Sequence, residues 1–486
     1  MAKSQTTSYV LTLPVAFDTA NQPAVLVKES RKAASIYNAC LNESLKRLHK
    51  LQHDRHYQAL QKEYKFRKEH GKSVSDLSKQ YRELFSEYGY SAYSLDAWVK
   101  PCQQYFGFGS AEAQKLAERA FAAVDKVRIG KADKVCFCRV KDGTSFEGKS
   151  HTSKLHYDST DGMVHLGKYC FGLKIKANDE YAMLCMMDKV KYVRIIKKII
   201  RGKDRWYAQL IMSGKPASKG QTYGDETVGL DLGTTTLAIS TPSMAKLIEL
   251  APDCAEDEKM KRRIQRAMDR SKRAMNPENY NPNGTVKKGR HVWKKSKHYL
   301  QLQSKYREAM RRLAVKRNIS HHILAKQVIS LGTDIRVEKM NMQGLAKRSK
   351  KTTHNAKNGR TVSKKQYGKT IHQRAPAMLV SIINQKLGYV GKKVNIVNTY
   401  TVKASQYNPL TGEYRKKELR ERMTMLDDDV IVQRDLLSAY CIAHTNNALN
   451  GINSETCYND FNNFYELEKA EINRLRNTHT LDWYTA

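Results

Sequence analysis

The stretch Glu226-Thr-Val-Gly-Leu-Asp-Leu-Gly-Thr-Thr-Thr-Leu-Ala-Ile-Ser240 decides the fold of the second half of the chain. Its apolar residues recur with a period of two, which predicts a strand, a tight turn at Gly233 and a returning strand. In the first strand the apolar side chains share one face, and Asp231 projects to the other. Gly229 and Gly233 flank Asp231 on its own face, so we expect room there for a phosphate and a metal ion.

Two later segments add acidic residues to this strand. Asp334-Ile-Arg-Val-Glu338 predicts a strand whose apolar residues face the core, so that Glu338 points to the opposite side. The segment 430–449 predicts a helix, with Asp435 near its start and Ala439 one turn along on the same side. Carboxylate oxygens suit Mg²⁺, and two such ions can promote phosphodiester displacement. Spacing alone is a weak signal, because widely spaced acidic residues occur in most chains. Each of the three could equally be an acidic residue of a turn or of the surface that binds no metal ion.

The charge balance indicates a polyanionic partner. The chain has 486 residues, with 86 Lys and Arg against 48 Asp and Glu, and its formal net charge is +38. Self-repulsion of this size opposes compaction unless a polyanion neutralises it. Nucleic acid fits that role, since each Lys or Arg near a phosphate releases a condensed counterion. A surface that is basic for solubility alone, or in the manner of a ribosomal protein, is the alternative.

Composition disfavours several other classes of protein. No stretch approaches the ~20 consecutive apolar residues that a membrane span requires. The apolar run from Tyr9 to Phe17 predicts a strand rather than a signal peptide. The nine cysteines include no Cys-x-x-Cys pair, which argues against a disulfide framework and against a paired-cysteine zinc site. We therefore expect a protein of the reducing bacterial cytoplasm.

In the first half, helical periodicity gives way to strand periodicity. A helix is predicted over about 25–68, a break at Gly71-Lys-Ser73, a shorter helix from about Ser75 and another over 111–127. Period-two segments then predict strands over 135–140, 193–200 and 205–211, the last two joined by a hairpin turn at 201–204.

The second half contains the densest basic region. Between Lys259 and Arg317 about twenty Lys and Arg residues face three acidic ones, and Asn276 to Gly284 cannot be helical, which predicts two basic helices around a loop. The segment 347–374 is polar and poor in apolar residues, which predicts a loop ordered by a partner. A strand is predicted over 394–397 and a last charged helix in the tail.

Three segments together resemble the RuvC motifs of the TnpB proteins of bacterial insertion sequences and of the related miniature type V CRISPR effectors. Gly229-Leu-Asp-Leu-Gly-Thr-Thr-Thr-Leu-Ala238 is similar to the first motif, Val337-Glu-Lys-Met-Asn-Met-Gln-Gly-Leu345 to the second and Gln433-Arg-Asp-Leu-Leu-Ser-Ala-Tyr440 to the third. Their order and spacing match the family, as does the basic helical pair between the first two. In the first half, Tyr37-Asn-Ala-Cys-Leu41 and Ala117-Glu-Arg-Ala-Phe121 are also similar.

The resemblance implies an α+β multidomain fold. A small β-barrel, the wedge, would carry a helical recognition insertion and be followed by an RNase H-like RuvC α/β nuclease domain. The implied boundaries are 1–24 and 135–213 for the two parts of the wedge, 25–134 for the helical recognition domain, 214–224 for a linker, 225–398 for the first part of the RuvC domain, 399–429 for a degenerate target-nucleic-acid-binding module, 430–449 for the third-motif helix and 450–486 for a C-terminal helix.

The resemblance further implies an RNA-guided DNA endonuclease. Such a protein binds a guide RNA, derived from a transposon or a CRISPR array, recognises a short motif beside its target, opens double-stranded DNA and displaces one strand. Asp231, Glu338 and Asp435 would hold two Mg²⁺ ions, with Mn²⁺ able to substitute. Arg434 would steady the scissile phosphate, although an arginine at a helix start can equally cap a neighbouring loop.

One departure from the family concerns zinc. Between the last strand and Asp435 the family usually carries a zinc ribbon with two cysteine pairs. The equivalent stretch here, 403–413, contains no cysteine. We therefore expect a zinc-free remnant of that module and no structural zinc.

The predicted nucleic-acid contacts come mainly from the basic region. They are Arg262, Arg263, Arg266, Arg270, Lys272, Arg273, Lys294 and Lys295, with Lys46, Arg47, Tyr57 and Tyr81 as candidates for reading the flanking motif. Trp293, Tyr299 and Tyr306 are candidate stacking groups, for which plain core packing is an equal alternative.

Three further functions compete with the nuclease. The first keeps the fold but loses cleavage, giving an RNA-guided DNA-binding repressor; all three motif positions are acidic here, which favours activity. The second is a sugar kinase or chaperone-type ATPase, since Asp231-Leu-Gly-Thr-Thr-Thr236 also resembles the first phosphate loop of those proteins. That function needs a Gly-Gly adenosine turn, and the chain has no Gly-Gly dipeptide. A guide-free DNA nuclease or recombinase accessory is a third possibility, separable by the RNA that co-purifies.

Overall fold

The computed structural model describes residues 7–217, 220–348, 352–356, 362, 367–416 and 421–481. The chain divides into two compact units, Met1–Lys219 and Gly220–Ala486. The boundary falls within the predicted 214–224 linker, of which 218 and 219 lie outside the described residues. Among the described residues no helix is long and apolar enough to cross a membrane. The protein is a mixed α and β chain in both units.

The first unit opens with a strand, continues with helices and ends with strands. Its elements are β1 (Ser8–Pro14), α1 (Gln22–His53), α2 (Arg55–Glu69), α3 (Leu77–Glu87), α4 (Ala92–Trp98), α5 (Lys100–Phe106), α6 (Ser110–Arg128), β2 (Phe146–Glu147), β3 (Leu155–Asp158), β4 (Met163–Leu166), β5 (Tyr169–Phe171), α7 (Glu180–Met186), β6 (Val190–Ile200) and β7 (Lys203–Ser213).

Two antiparallel sheets form within this unit. The larger has the order β1-β7-β6-β2, and the smaller has the order β3-β4-β5. The predicted hairpin is confirmed: Ile200 pairs with Lys203 across a two-residue turn in which Arg201 and Gly202 have φ values of 49° and 77°. Positive φ at both positions matches the twist of the flanking strands, which is why a glycine stands there.

The predicted helix over 25–68 is two helices, because the chain turns at Asp54. That residue has an extended backbone with ψ of 129°, and its carboxylate accepts a hydrogen bond from the backbone N–H of Tyr57 at 2.7 Å. An aspartate in this position satisfies an unpaired N–H of the new helix, and so starts α2. The predicted break at 71–73 is confirmed, with Gly71 at a φ of 65°.

The strand predicted over 135–140 is wrong. That segment runs without strand pairing, and Asn38 of α1 holds it instead: the side-chain oxygen accepts from the N–H of Cys138, and the side-chain nitrogen donates to the carbonyl of Cys138, both at 2.8 Å. One amide side chain thus replaces the partner strand. Alternation of apolar residues cannot reveal such a substitute, because it depends on a residue 100 positions away.

The second unit alternates strands with long helices. Its elements are β8 (Thr227–Leu232), β9 (Thr236–Thr241), β10 (Met244–Glu249), α8 (Ala255–Met275), α9 (Lys297–Leu331), β11 (Asp334–Glu338), α10 (Met342–Ala346), α11 (Gly368–Arg374), α12 (Pro376–Gly388), β12 (Asn395–Val397), α13 (Thr399–Val402), β13 (Met423–Asp427), β14 (Val430–Gln433), α14 (Arg434–Ala443), α15 (Ser454–Asn459) and α16 (Phe461–Asn477).

A five-stranded sheet with the order β10-β9-β8-β11-β12 forms the centre of this unit. The first three strands are antiparallel neighbours, whereas β11 runs parallel to both β8 and β12. Apolar residues of α9 and α12 pack in one core with β8 and β11, and those of α14 and α16 pack in another with β9 and β10. The sheet is therefore covered by helices on both faces.

Several predictions for this unit are confirmed, among them the strand–turn–strand around Gly233, the strand 334–338 and the two basic helices α8 and α9. The helix predicted over 430–449 is wrong at both ends: 430–433 is β14, paired with β13, and α14 ends at Ala443. The run Val430-Ile-Val432 fits a strand as well as a buried helix, and its pairing with β13 makes it a strand.

The predicted loop over 347–374 is wrong at its end, where 368–374 forms α11. Residues 349–351, 357–361 and 363–366 of that loop lie outside the described residues, as do 417–420 of the predicted 399–429 module and 482–486 of the tail. The tail's predicted helix is confirmed as α16.

Candidate active site

Asp231 and Glu338 stand level with each other on neighbouring parallel strands. The ladder between β8 and β11 pairs Ile335 with Val228 and Val337 with Leu230. The next position in this register places Glu338 beside Asp231, at the carboxyl ends of both strands. Paired residues of adjacent strands point to the same face. The sheet therefore brings together two carboxylates that are 107 positions apart, as Glu338 minus Asp231 gives.

Asp435 reaches the same face from helix α14. It occupies the second position of that helix, which crosses β8 directly over Gly229. A Cβ built on Gly229 would lie 2.0 Å from the carbonyl oxygen of Ala439 and 2.6 Å from the backbone nitrogen of Ala443. The missing side chain thus makes room for α14, not for the expected phosphate. Close approach of this helix is what brings Asp435 towards Asp231.

The pKa of Asp231 responds to both of the other carboxylates. Burial raises this pKa well above its usual range, and the negative charges of Asp435 and Glu338 raise it further. The hydroxyl group of Ser438, one turn beyond Asp435, acts in the opposite direction and lowers the pKa. Asp231 nevertheless keeps part of its surface accessible. Neighbouring negative charges oppose one another's ionisation, and a cation placed among them would remove that cost.

Glu338 is held from the loop after α13. Burial raises the pKa of its carboxyl group, and a hydrogen bond from the backbone N–H of Ala404 lowers it again. Ala404 follows Lys403, whose φ of 43° turns the chain sharply at this point. The 403–413 segment, expected to be a zinc-free remnant, therefore supplies a backbone donor to the carboxylate cluster.

Arginines surround Asp435. Its Oδ1 accepts hydrogen bonds from Arg434 Nε at 3.1 Å and Nη2 at 2.9 Å, and its Oδ2 lies 3.3 Å from Arg422 Nη1. Arg434 also donates to the carbonyl of Glu421 at 3.2 Å, so it does fix a neighbouring loop. Asp435 is thus oriented by two guanidinium groups at the edge of the carboxylate cluster.

The start of α14 is fixed by a residue from the tail. Gln433 caps the helix, its side-chain oxygen accepting from the N–H of Leu436 at 2.8 Å. The backbone N–H of Gln433 donates in turn to Glu468 of α16, also at 2.8 Å, and Glu471 of the same helix accepts from Leu247 of β10 at 3.1 Å. The tail therefore positions the helix that carries Asp435. This role was not predicted from the sequence, where its signal is a pair of acidic residues at helical spacing on an otherwise apolar face of α16.

The Asn-x-x-Gly part of the second segment has a structural role. The side-chain oxygen of Asn341 accepts from the N–H of Gly344 at 2.8 Å, which caps helix α10. A Cβ on Gly344 would stand 3.0 Å from Asn341 side-chain atoms, so the cap favours a residue without one. The motif thus turns the chain away from the sheet directly after Glu338.

The donor set fits hard divalent cations. Asp231, Glu338 and Asp435 offer carboxylate oxygens only, which are the ligands that Mg²⁺ prefers. Among the described residues, however, the set whose ligand atoms all lie within 4.8 Å of one another is a different one, Asp158, Asp161 and His165. Both oxygens of Asp435 face arginines, and this pairing would have to loosen for Asp435 to share a cation with the other two.

The predicted nucleic-acid contacts on α8 are accessible. Arg262, Arg263, Arg266, Arg270 and Arg273 are exposed, as are Lys294 and Lys295 before α9. A cleft between the two helices is lined by Arg262, Gln265, Arg266, Met268, Asp269, Tyr299 and Tyr306. The structure thus brings guanidinium groups and tyrosine rings to one groove, as a surface for stacked bases would require.

Lys272 and Trp293 interact with each other. The ammonium group of Lys272 lies 3.5 Å from the centre of the Trp293 ring, a cation–π contact, and Tyr280 meets the same ring edge-on at 5.8 Å. Asn276 holds this region together, donating to the carbonyls of Lys272 and Lys294 and accepting from the N–H of Lys294. Lys272 and Trp293 are therefore already engaged within the protein.

The predicted nucleic-acid contacts in the first unit differ from one another in their exposure. Tyr57 is only 1% exposed and packs against Tyr81 and Phe85, so its expected contact with nucleic acid is wrong, and its role is core packing. Tyr81 is half-buried in the same aromatic group. Arg47 is paired with Glu43 at 2.9 Å and also donates to the carbonyl of Gly89. Lys46 is exposed.

Comparison with known proteins gives weak likenesses. No protein family matches the chain by sequence, and no curated protein matches it either. The cryo-EM structure of a Cas12f1–sgRNA–target DNA complex aligns with a TM-score of 0.44 and 11% identity over 85% of this chain and 92% of that one. A CRISPR–Cas12f ternary complex aligns with a TM-score of 0.25 and 13% identity over 87% and 82%. Neither likeness is strong enough to assign this chain to a family.

Proposed function

We propose that this protein is an RNA-guided DNA endonuclease with one RuvC-type site formed by Asp231, Glu338 and Asp435. The observation that carries the proposal is the level placement of Asp231 and Glu338 on two parallel strands, with Asp435 brought to the same face by a helix that crosses Gly229. A mixed five-stranded sheet covered by helices on both faces fits the RNase H-like domain that the sequence resemblance implies, and it supports the same function.

The three carboxylates would hold two Mg²⁺ ions, which when bound promote attack of water on a phosphodiester and stabilise the leaving oxygen. The protein's own residues prepare that site. The backbone N–H of Ala404 favours the ionised form of Glu338, and Gly229 allows α14 to approach the sheet. Arg434 and Arg422 hold the Asp435 carboxylate, and the same guanidinium groups are suited to a phosphate that enters the site.

Charge supports nucleic-acid partners. A net charge of +38 and the exposed arginines of α8 offer phosphate contacts for a guide RNA and its DNA target, including a displaced strand. Base pairing with the guide would supply sequence specificity, and the protein would read only a short flanking motif. We propose the bacterial cytoplasm as its location, and a guide of transposon or CRISPR origin.

One observation favours the repressor as a second candidate. Both oxygens of Asp435 are engaged by arginines, and a site in which this carboxylate never releases them would bind target DNA without cutting it. The two functions share the guide and the target, and they differ only in the cleavage step.

The test begins with the RNA that co-purifies with the protein, whose sequence defines a matching plasmid target. The wild-type complex should cut that plasmid in Mg²⁺. Asp231→Asn and Glu338→Gln should each abolish cutting and leave target binding within about tenfold, or ~1.4 kcal/mol. Asp428→Asn, which changes an exposed acid in the β13–β14 turn, is the matched control and should cut normally.

The outcomes separate the candidates. Cutting that persists in Asp231→Asn would refute the assigned site. Tight, RNA-dependent target binding without cutting by the wild type would identify the repressor. Cutting by protein stripped of RNA would refute guidance by RNA.

A further inference from the structure

A second group of metal-binding side chains lies in the first unit, on the three-stranded sheet β3-β4-β5. Antiparallel pairing places His156 opposite His165 and His165 opposite Cys170. Cross-strand partners point to the same face, so two imidazoles and a thiol form one row across the sheet. The alternate positions Val164 and Phe171 are buried in the core of the unit. The row therefore lies on the outer face of a well-packed sheet.

His165 is the centre of this group. Its Nε2 lies 2.7 Å from Asp161 Oδ2, and its Nδ1 lies 3.3 Å from Cys170 Sγ. The His156 ring stacks on it with ring centres 5.2 Å apart and planes inclined by 15°. Contacts on both nitrogens and on one ring face fix the orientation of the imidazole, as is usual for a histidine that binds a metal ion.

The β3–β4 turn brings two carboxylates to the same histidine. Asp158 Oδ1 accepts from the N–H of Thr160 at 2.9 Å, and Asp161 Oδ1 accepts from the N–H of Met163 at 2.8 Å. One oxygen of each carboxylate is thus held by the turn. Asp158, Asp161 and His165 place one ligand atom each within 4.8 Å of the others. Ligand atoms of one metal ion stand about 3–4 Å apart, since each bond is ~2.0–2.2 Å long, so the 2.7 Å contact between His165 Nε2 and Asp161 Oδ2 must open slightly as the ion enters.

We propose that Asp158, Asp161 and His165 bind one divalent transition-metal ion of the zinc or manganese class. An imidazole nitrogen with two carboxylates suits these ions better than Mg²⁺ or Ca²⁺, which prefer oxygen alone. Cys170 serves as the hydrogen-bond partner on the far side of His165, and water completes the coordination, because Asp161 and His165 remain partly exposed. The ion would fasten the β3–β4 turn to the strand that carries His165. This site belongs to a different unit from the carboxylates of the proposed nuclease and from the 403–413 segment, and it departs from the expectation that the protein has no structural zinc.

The experiment measures metal content and affinity in the full chain. The background carries Asp231→Asn and Glu338→Gln, so that the other carboxylate cluster does not contribute. Metal-free protein is dialysed against Zn²⁺, and the bound metal per chain is determined. We expect one ion per chain, and His165→Gln and Asp161→Asn should each weaken binding at least about tenfold. His151→Gln, an exposed histidine in a neighbouring turn, is the control and should bind as the background does.

Binding of Co²⁺ tests whether the Cys170 sulfur is one of the metal ligands. The Co²⁺ complex should show weak d–d bands without a sulfur charge-transfer band, and Cys170→Ser should leave the stoichiometry unchanged. A sulfur-to-cobalt band that Cys170→Ser removes would overturn the assigned ligands. Absence of a bound ion, or binding that His165→Gln and Asp161→Asn do not weaken, would overturn the site itself. Circular dichroism of each variant shows whether it is folded, and Asp158→Asn provides a second carboxylate variant.

Discussion

Gly229 of β8 lies in direct backbone contact with Ala439 of α14, since a Cβ at Gly229 would stand 2.0 Å from the Ala439 carbonyl oxygen. No side chain can be accommodated there unless the helix moves away from the sheet. The strand carries Asp231 two residues further on, and the helix carries Asp435 one turn earlier. The distance between these two carboxylates therefore depends on a residue that has no side chain.

Gly229→Ala should separate α14 from the sheet. We expect it to lower the free energy of unfolding by about 1–3 kcal/mol or more, as overpacking of a tight core does, and to reduce cleavage more than target binding. Gly388→Ala is the control, because a Cβ at Gly388 meets no atom within 4 Å and its φ is not positive. That variant should be neutral or slightly stabilising in thermal unfolding. Equal melting temperatures for the two variants would show that α14 can move away from the sheet without loss of stability.

The C-terminal helix gives the protein a pH-dependent stability. Glu468 is 2% exposed, and burial raises its pKa to about 7, although the positive charges of Arg476 and Lys469 lower it. A carboxyl group with a raised pKa in the folded state binds its proton more tightly when folded. The stability it contributes is therefore complete below pH 4.5, the ordinary pKa, and is lost as pH rises through about 7.

Glu468→Gln should remove this dependence, because the amide keeps an acceptor for the Gln433 N–H but cannot ionise. At pH 4 the variant should match the wild type, and at pH 8 it should be more stable by up to ~3 kcal/mol, the free-energy equivalent of the shift. Urea unfolding at the two pH values measures this. Glu466→Gln, an exposed neighbour on the same helix, should not change the difference. A variant that is less stable at both pH values would mean that the negative charge itself supports α14.

The local geometry of the candidate active site could be predicted from the sequence. Period-two alternation correctly predicted the strands around Asp231 and Glu338, because their apolar side chains face one core and the carboxylates project from the opposite face. The basic helices α8 and α9 were predicted equally well, since Asn276-Pro277 and the residues after it cannot continue a helix.

The tertiary contacts could not be predicted. The role of Gly229 depends on a helix more than 200 residues later, and Asn38 replaces a strand partner for Cys138 at a distance of 100 positions. Strand β14 exists because β13 pairs with it, although its own apolar run fits a helix as well. Tyr57 looked like a surface aromatic because its neighbours are charged, whereas Tyr81 and Phe85 enclose it. In each case a contact with a residue distant in sequence determines the local structure, and local periodicity carries no information about that contact.

The exposed arginines of α8 should determine the salt dependence of nucleic-acid binding. Arg262→Gln with Arg266→Gln removes two positive charges from the groove beside Tyr299 and Tyr306. Each lost phosphate contact should lower the slope of log affinity against log salt concentration by roughly 0.7–0.9. The measurement is a salt titration of binding to the co-purifying RNA. Lys246→Gln with Lys469→Gln makes the same change in charge elsewhere in the unit, and an equal loss of slope in that control would mean that only net charge matters.

Magnesium should stabilise the protein through the carboxylate cluster. Burial and the negative charges of Asp435 and Glu338 raise the cost of ionising Asp231, and a bound cation would remove that cost, so Mg²⁺ should favour the folded state. A ligand at a hundred times its dissociation constant stabilises by about 2.7 kcal/mol, which is a readily measured rise in melting temperature. Glu338→Gln should reduce this rise and Asp428→Asn should preserve it, with EDTA reversing it in the wild type. The comparison is made in protein that also carries His165→Gln, so that the group in the first unit does not contribute. A rise that Glu338→Gln and Asp231→Asn leave intact would place the magnesium elsewhere and remove the cluster's proposed role.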